Sequence, residues 1–387
     1  VARVNAALAV IVLVFAAVVA FCTVVETGMN WKYDKVYKDL GRLSDVIATA
    51  DDDIWVVGNA TSTVSYAGDE TADDGFLLHY DGTRWQRRPM PEAFGDSVYE
   101  ARFDAMGSRG FLLTASLKSL ETPRMARWDG TRWTAVPEIP DTGRVVDVRA
   151  FAADDIWAVA GTSRVWHWDG TRWTATDLPA TVSALDGVAP DDLWAVGHQG
   201  SGESEESGHE TIQPAAVHWD GRSWTPTRTP EYRFPDPVPA EPEAFLSTVR
   251  ALAGDDVRAY GSHTFNHGEQ DDEPLDEAIR LRWDGTRWTK QPSVEDDCAT
   301  RVPVAVDGER GVFLNGNRYL TADGDCERIK RPRLPSTDGI RSSSRQQLWL
   351  NGIAPIPGTD EVLGVGYVGV SQAGNPTSRS VIVRLTR

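Results

Sequence analysis

The sequence predicts an all-β protein: a seven-bladed β-propeller of four-stranded blades, its ring closed by an N-terminal strand and preceded by one transmembrane helix. Three observations carry this expectation. The phrase Trp128-Asp-Gly-Thr-Arg-Trp133 recurs at Trp168–Trp173, at Trp283–Trp288, at Trp219–Trp224 and, with Tyr80 leading, at Tyr80–Trp85. A second phrase, Asp52-Asp-Ile-Trp-Val-Val-Gly58, recurs at Asp154–Ala160 and Asp191–Gly197, with weaker copies at 109–115, 255–261, 310–316 and 360–366. The two alternate along the chain with a period of roughly 50 residues, the range of propeller repeats.

Each element of the unit follows from local chemistry. Runs such as Val165-Trp166-His167-Trp168 alternate with period two, which is the pattern of a strand. Asp-Gly tolerates positive φ, so the run turns tightly into a second strand that begins at the next Trp. The Asp-Asp pair follows an apolar run and opens another strand. One unit therefore reads as strands A to D, with Asp-Asp turning A into B and Asp-Gly turning C into D.

The last unit has A near 348–354, B near 362–366 and C near 380–385, and then the chain runs out. The segment around Trp31, near 30–36, precedes the first A strand (44–50) as Arg132-Trp133-Thr134 precedes 145–151. It is expected to supply the missing D strand and hide an otherwise open sheet edge.

The 387 residues carry 39 Lys plus Arg against 57 Asp plus Glu, a formal net charge of −18. That balance excludes a nucleic-acid binder, which needs a basic surface to neutralise phosphates. It suits an exported, solvent-facing protein or one with a cationic partner. Residues 4–25 are uncharged and predict a signal anchor long enough to cross a bilayer; a signal peptide cut after Ala20 is the alternative. The domains are thus 1–25, a membrane helix; 26–29, a linker; and 30–387, a propeller held as a monomer outside the cytoplasm, or secreted if the leader is cut. Cys298 and Cys326 share the sixth unit and suit a disulfide in such a compartment, two free thiols being the alternative.

Insertions are expected between B and C at 59–75, 198–214, 262–277 and 367–379, and between D and the next A at 86–96 and 226–244. Because strands alternate in direction, all of these emerge on one face, and the short Asp-Asp and Asp-Gly turns occupy the other. Binding residues favour loops carried by a rigid scaffold. The candidate binding residues are therefore His198, Glu205, Glu206, His209, Tyr232, Phe234, His263, His267, Asp271 and Asp272, around the fourth and fifth units. The acidic stretches 200–210 and 269–277 read either as solvated loops or as a docking rim for a cationic partner or a metal ion.

Other signals carry less. Of fifteen tryptophans, all but Trp31, Trp166 and Trp349 sit at three recurring strand positions and read as packing between sheets. Gly364-Val-Gly-Tyr-Val-Gly369 matches a dinucleotide fingerprint but lacks the strand-to-helix context. His263 and His267 have ligand spacing without a helix beneath them. His79, His167 and His218 share one position with Arg127 and Arg282, which reads as a polar strand face. The Arg of each Asp-Gly turn (Arg84, Arg132, Arg172, Arg287) is expected to brace it against the Asp-Asp turn, with a calcium ring as the alternative. No catalytic residue, metal site or cofactor is assigned.

The repeated phrases resemble those of WD-type and Asp-box propellers over residues 30–387, and most of all those of exported propellers from high-GC, actinobacterial-like sources. The Gly-His dipeptide of WD repeats and the kelch double glycine are missing, and the Asp-box has one residue more. The resemblance implies a scaffold and carries over no catalytic residues. The functional expectation is a non-enzymatic, membrane-anchored scaffold that binds a protein through its loop-rich face. The alternative is a lectin-like propeller for cell-wall or environmental glycans, and a third reading is a glycan-active hydrolase or lyase.

Overall fold

The computed structural model describes residues 26–60, 74–95, 98, 100–107, 109–116, 123–140, 145–160, 163–203, 210–234, 241–264, 276–292, 298, 301–308, 310–374 and 376–386. The apolar stretch expected to anchor the chain lies outside these residues. Among the described residues no helix is long and apolar enough to cross a membrane.

The chain forms an all-β, propeller-like fold of four-stranded sheets. Three sheets stand alone: β2 (Arg42–Ala50), β3 (Asp53–Asn59), β4 (Gly75–Tyr80) and β5 (Trp85–Arg88); β6 (Glu100–Met106), β7 (Gly110–Ser116), β8 (Arg124–Trp128) and β9 (Trp133–Val136); and β10 (Asp147–Ala152), β11 (Asp155–Val159), β12 (Arg164–Trp168) and β13 (Trp173–Asp177). Two further sets, β14 (Thr181–Ala189), β15 (Asp192–Glu203), β16 (Glu210–Trp219), β17 (Trp224–Thr227) and β18 (Glu243–Ala253), β19 (Asp256–Thr264), β20 (Glu277–Trp283), β21 (Trp288–Lys290), touch edge to edge through one parallel pair, Ile212 with Glu243. The remaining strands are β22 (Pro303–Val306), β23 (Val312–Leu314), β24 (Arg318–Leu320), β25 (Cys326–Lys330), β26 (Arg345–Pro355), β27 (Glu361–Ser371) and β28 (Thr377–Thr386).

The strand β1 (Glu26–Tyr37) closes the fold as expected. It runs antiparallel to β28, Asn30 opposite Thr386 and Tyr37 opposite Ser380, and so completes a four-strand set with β26 and β27. The other edge of β1 meets β25 in parallel. Trp31 is 1 % exposed and sits among Phe313, Ile329 and Leu385, so the closing strand is anchored by burial as well as by its ladder.

The recurring tryptophans pack one set against the next. Trp55 of β3 meets Trp128 at 5.2 Å and Trp133 at 6.1 Å; Trp157 of β11 meets Trp219 at 5.2 Å; Trp194 of β15 meets Trp283 at 4.9 Å and Trp288 at 5.2 Å. Offset and edge-on rings at these distances fill the wedge between twisted sheets. Where the motif lapses, Leu112 takes the place of the Trp and packs with Trp168.

Several expected loops are strand instead. The B–C segments at 198–214 and 367–379 continue the ladders: β15 pairs β16 out to Glu203 with Glu210, and β27 pairs β28 out to Val370 with Thr377. His198-Gln-Gly-Ser201 has no apolar residue to signal that the strand continues, whereas in Tyr367-Val-Gly-Val-Ser371 the alternate Val368 and Val370 are buried and prolong the core face of β27. The insertion at 86–96 contains a short 3-10 turn, Glu92–Phe94, and Phe94 (1 % exposed) fills the core beside Met90 and Val98. It is a packing plug rather than a free loop.

Candidate functional site

The face of short turns is held by side chains that recur in three of the strand sets, with a variant in a fourth. In two sets the second Asp of the Asp-Asp pair receives both the indole N–H two residues on and the imidazole of the third strand, and in another, at Asp192, the imidazole alone. Trp55 Nε1 donates to Asp53 at 2.7 Å and His79 Nε2 bonds the same oxygen at 2.8 Å. Trp157 and His167 repeat this on Asp155, both at 2.8 Å, and His218 bonds Asp192 at 2.8 Å. Each imidazole also stacks on its Trp, with centroids 3.9–4.4 Å apart. In β18–β20 the Asp remains and the partners change: Asp256, fully buried, is held by Arg258 at 3.3 Å and Arg282 at 3.0 Å. The shared His/Arg position is thus a bracing position.

The first Asp has a different part. A Cβ added to Gly170 (φ +88°) would lie 2.7 Å from the Cβ of Asp154, and one on Gly221 (φ +83°) would lie 2.8 Å from that of Asp191. The Asp-Asp turn therefore presses on the Asp-Gly turn, and glycine is required there for space as well as for φ.

The turn arginines do not brace the two hairpins. Arg132, Arg172 and Arg287 lie 3.4–3.7 Å from Asp129, Asp169 and Asp284 of their own turns, and their side chains are 77–80 % exposed. The Asp of each turn is instead occupied locally. Thr171 Oγ1 donates to Asp169 at 2.6 Å and the amides of Thr171 and Arg172 at 2.8 and 2.9 Å, so the hydroxyl first and the amides next hold its pKa down at about 2. Among the described residues no group of three or more His, Cys, Asp and Glu is placed to hold a metal ion.

The first strand of every set lines a central cavity of about 930 Å³. Around it, carboxylates of one inner strand accept backbone N–H groups of the next. Phe103 N donates to Asp45 at 2.7 Å, Ala150 N to Asp104 at 3.1 Å, Leu185 N to Asp147 at 2.7 Å and Ala251 N to Asp186 at 2.9 Å. Arg250 donates to the carbonyl of Pro303 at 3.2 Å, and Asn351 Nδ2 to that of Leu43 at 2.7 Å, joining the last inner strand to the first. Arg102 pairs with Asp147, and Arg149 pairs with Asp104 at 2.7 Å and Asp186 at 3.2 Å.

Burial raises the Asp45 and Asp104 carboxyls to about 6, against the opposing pull of their backbone donors and nearby arginines. This belt was missed in the sequence, although a polar residue interrupts each apolar run at Leu-Ser-Asp45-Val, Val-Val-Asp147-Val and Ala-Leu-Asp186-Gly.

The expected binding residues are only partly brought together. Tyr232 and Phe234 flank His263, with centroids 5.3 and 4.8 Å away, and His263 is 9 % exposed. Gln213 clamps the Tyr232 backbone, accepting its N–H at 2.8 Å and donating to its carbonyl at 2.9 Å. Lys290 Nζ lies 3.6 Å from the centre of the Tyr232 ring. Burial lifts the Tyr232 hydroxyl to about 12. Beside this cluster is a hollow of about 290 Å³ lined by Gln199, Gln213, Arg228, Glu231, Tyr232 and Arg233. His198 is half-buried in β15, and Glu205, Glu206, His209, His267, Asp271 and Asp272 lie outside the described residues. Cys298 and Cys326 are joined by a disulfide, Cα atoms 6.0 Å apart.

This architecture defines the class: an all-β, propeller-like fold of four-stranded sheets. No protein-family model and no curated protein matches the chain. Among solved structures it is similar to YCF48 bound to D1 peptide, at TM-score 0.52 and 14 % identity, with 94 % of this chain and 97 % of that one covered. YCF48 from Cyanidioschyzon merolae gives 0.50 and 12 %, covering 92 % and 98 %. The extracellular domain of a putative hybrid two-component system from B. thetaiotaomicron gives 0.51 and 11 %, covering 90 % of this chain and 39 % of that one. At these identities the likeness is one of fold.

Proposed function

We propose that the protein is a seven-bladed propeller, anchored by residues 4–25 with its ring outside the cytoplasm, that works as a non-enzymatic scaffold binding a protein partner through its loop-bearing face. The observation that carries this reading is the asymmetry of the two faces. On one, Asp-Asp and Asp-Gly turns spend their polar groups on each other and on their own backbones. On the other, the hollow beside Tyr232 is flanked in sequence by the acidic stretches 200–210 and 269–277, which suit a cationic partner surface. YCF48 carries a D1 peptide, so a propeller of this kind can seat a polypeptide.

A glycan-binding reading has less to rest on, because the recurring tryptophans are used between sheets. A hydrolase reading draws on the raised carboxyls of Asp45 and Asp104. Both oxygens of Asp45, however, accept backbone N–H groups, from Val46 at 2.8 Å and Phe103 at 2.7 Å, and Asp104 is held by Arg149 and Ala150. These contacts suit strand-to-strand fastening better than general acid catalysis.

The test is affinity capture from native membranes with the full chain as bait, beside a bait in which 204–209 and 265–275 are shortened. A protein recovered by the first and lost with the second supports the reading. A partner retained equally by both places the contact elsewhere.

A further inference from the structure

The strands β26, β27 and β28 run past their neighbours on the loop-bearing face, and one side of that overhang is uncovered. Its other side is packed: Leu334 and Ile340 of the β25–β26 connection lie among Leu348, Val368 and Val370, and Gln346 bonds both the N–H (2.8 Å) and the carbonyl (3.2 Å) of Leu334. On the open side the register brings Arg345 opposite Ser371, Gln347 opposite Gly369 and Trp349 opposite Tyr367, and on the other edge of β27 Gly369 lies opposite Ser378 and Tyr367 opposite Ser380. Tyr367 is 37 % exposed, which is unusual for a large side chain in a strand interior, and Val302 at the facing rim is 53 % exposed.

This platform overlooks the mouth of the central cavity, whose wall includes Trp349, Tyr367, Val302 and Arg42. Arg301 lies over the Trp349 ring at 4.4 Å. Arg42 and Arg345 are exposed, and neither has a carboxylate partner among the described residues. Arg42 shares the cavity wall with Trp349 and Tyr367, and Arg345 lies four positions before Trp349 on the same strand, in a chain with 57 acidic residues against 39 basic ones. The cavity wall also bears Asp45, three residues on from Arg42 along β2, and Asp104, Asp147 and Asp186, but these carboxylates accept backbone N–H groups or pair with Arg102 and Arg149 rather than with Arg42 or Arg345.

We infer that this platform is a binding site for an extended acidic peptide of a partner protein. Carboxylates of the peptide pair with Arg42 and Arg345, whose forked guanidinium groups suit bidentate recognition. An aromatic or aliphatic residue of the peptide lies across Tyr367 and Trp349, with Gly369 leaving the centre of the platform flat. Aromatic and Arg anchors at a partly desolvated mouth are the usual composition of a binding hot spot. The overall negative charge does not prevent this, since at physiological salt charges beyond about 8 Å are largely screened. The site rests on the protein-binding reading above, but lies at β26–β28 and recognises the opposite charge.

The experiment is fluorescence anisotropy on the full chain with a labelled peptide of Glu and Tyr residues, and with a Lys-for-Glu counterpart as competitor. Arg42→Glu/Arg345→Glu and Tyr367→Ala are compared with the unaltered chain; all three positions are exposed, and unchanged unfolding midpoints confirm folding. The acidic peptide should bind, the Lys peptide should not compete, the double reversal should weaken binding about tenfold or more, and Tyr367→Ala should weaken it several-fold. No binding of the acidic peptide, equal binding to the double reversal, or competition by the Lys peptide or by a soluble glucan each overturns the inference. If a partner is captured through the segments near β15–β20 while the acidic peptide fails to bind, this site falls and the general reading stands.

Discussion

Replacing Asp155 with Ala tests what holds the two hairpins of a blade together. The substitution removes the common acceptor of His167 Nε2 and Trp157 Nε1, each at 2.8 Å. Trp157 is 4 % exposed, so its indole N–H is left buried without a partner, whereas His167, with 34 % of its side chain exposed, regains water in part. Bonds to a charged acceptor contribute about 1.5–3 kcal/mol each, and partial rescue of the His puts the loss at about 2–4 kcal/mol. The control is Arg172→Ala: its guanidinium is 3.7 Å from Asp169 and 79 % exposed, so the change should stay within about 0.5 kcal/mol. Urea unfolding followed by tryptophan fluorescence reads both. A cycle with His167→Ala should give a coupling of about 1–2 kcal/mol. If Asp155→Ala costs less than about 1 kcal/mol, or no more than Arg172→Ala, the bracing argument is wrong.

Three further outcomes follow from the same contacts. Gly170→Ala should cost about 2–4 kcal/mol in unfolding free energy, combining positive φ with overlap on Asp154, whereas Gly358→Ala, with φ +77° and open space, should show the φ penalty alone. Gly352→Ala should be at least as damaging, because its added Cβ would lie 2.4 Å from Asp45 Oδ1 and 2.9 Å from Val46 N, where the last inner strand meets the first; a mild effect in thermal unfolding would mean that this junction yields easily. Stability should fall as pH rises from about 4 to 6. Asp45 and Asp104 keep their protons up to about 6 when folded and release them near 4 when unfolded, so the native state binds more protons in that window. The upper bound is about 2–3 kcal/mol for each group, reduced because Asp104 keeps 14 % of its side chain open to the channel. The Asn variants at 45 and 104 should flatten that slope in urea titrations, and an unchanged slope would refute the assignment.

Most of the fold was legible because each blade repeats its own chemistry. Asp-Gly fixes one turn, the spaced tryptophans fix the packing faces, and the orphan segment at Trp31 finds the last set, where a D strand was missing. The misreadings share a physical cause. Arg172 looks like a partner for Asp154 because both turns share a face, but at the exposed turn it meets Asp169 of its own turn first, and the bracing role falls to His167, a residue set aside as a polar face. The inner Asp belt was invisible because its partners are backbone N–H groups of the next blade, which have no sequence signature. The candidate site was the least legible part. Tyr232, Phe234 and His263 did converge, but as a packed cluster, and the half-buried Trp349 and exposed Tyr367 became adjacent only through a ladder that runs into a segment read as loop.

The most direct measurement is hydrogen–deuterium exchange on the full chain, with and without the partner recovered by capture. Protection should appear on the loop-bearing face, in segments around 228–234 and in the overhang at 345–349 and 367–371. It should be absent from the turns at 51–53, 153–155 and 169–172. Protection confined to those turns would contradict the proposal that this scaffold works through its loop-bearing face.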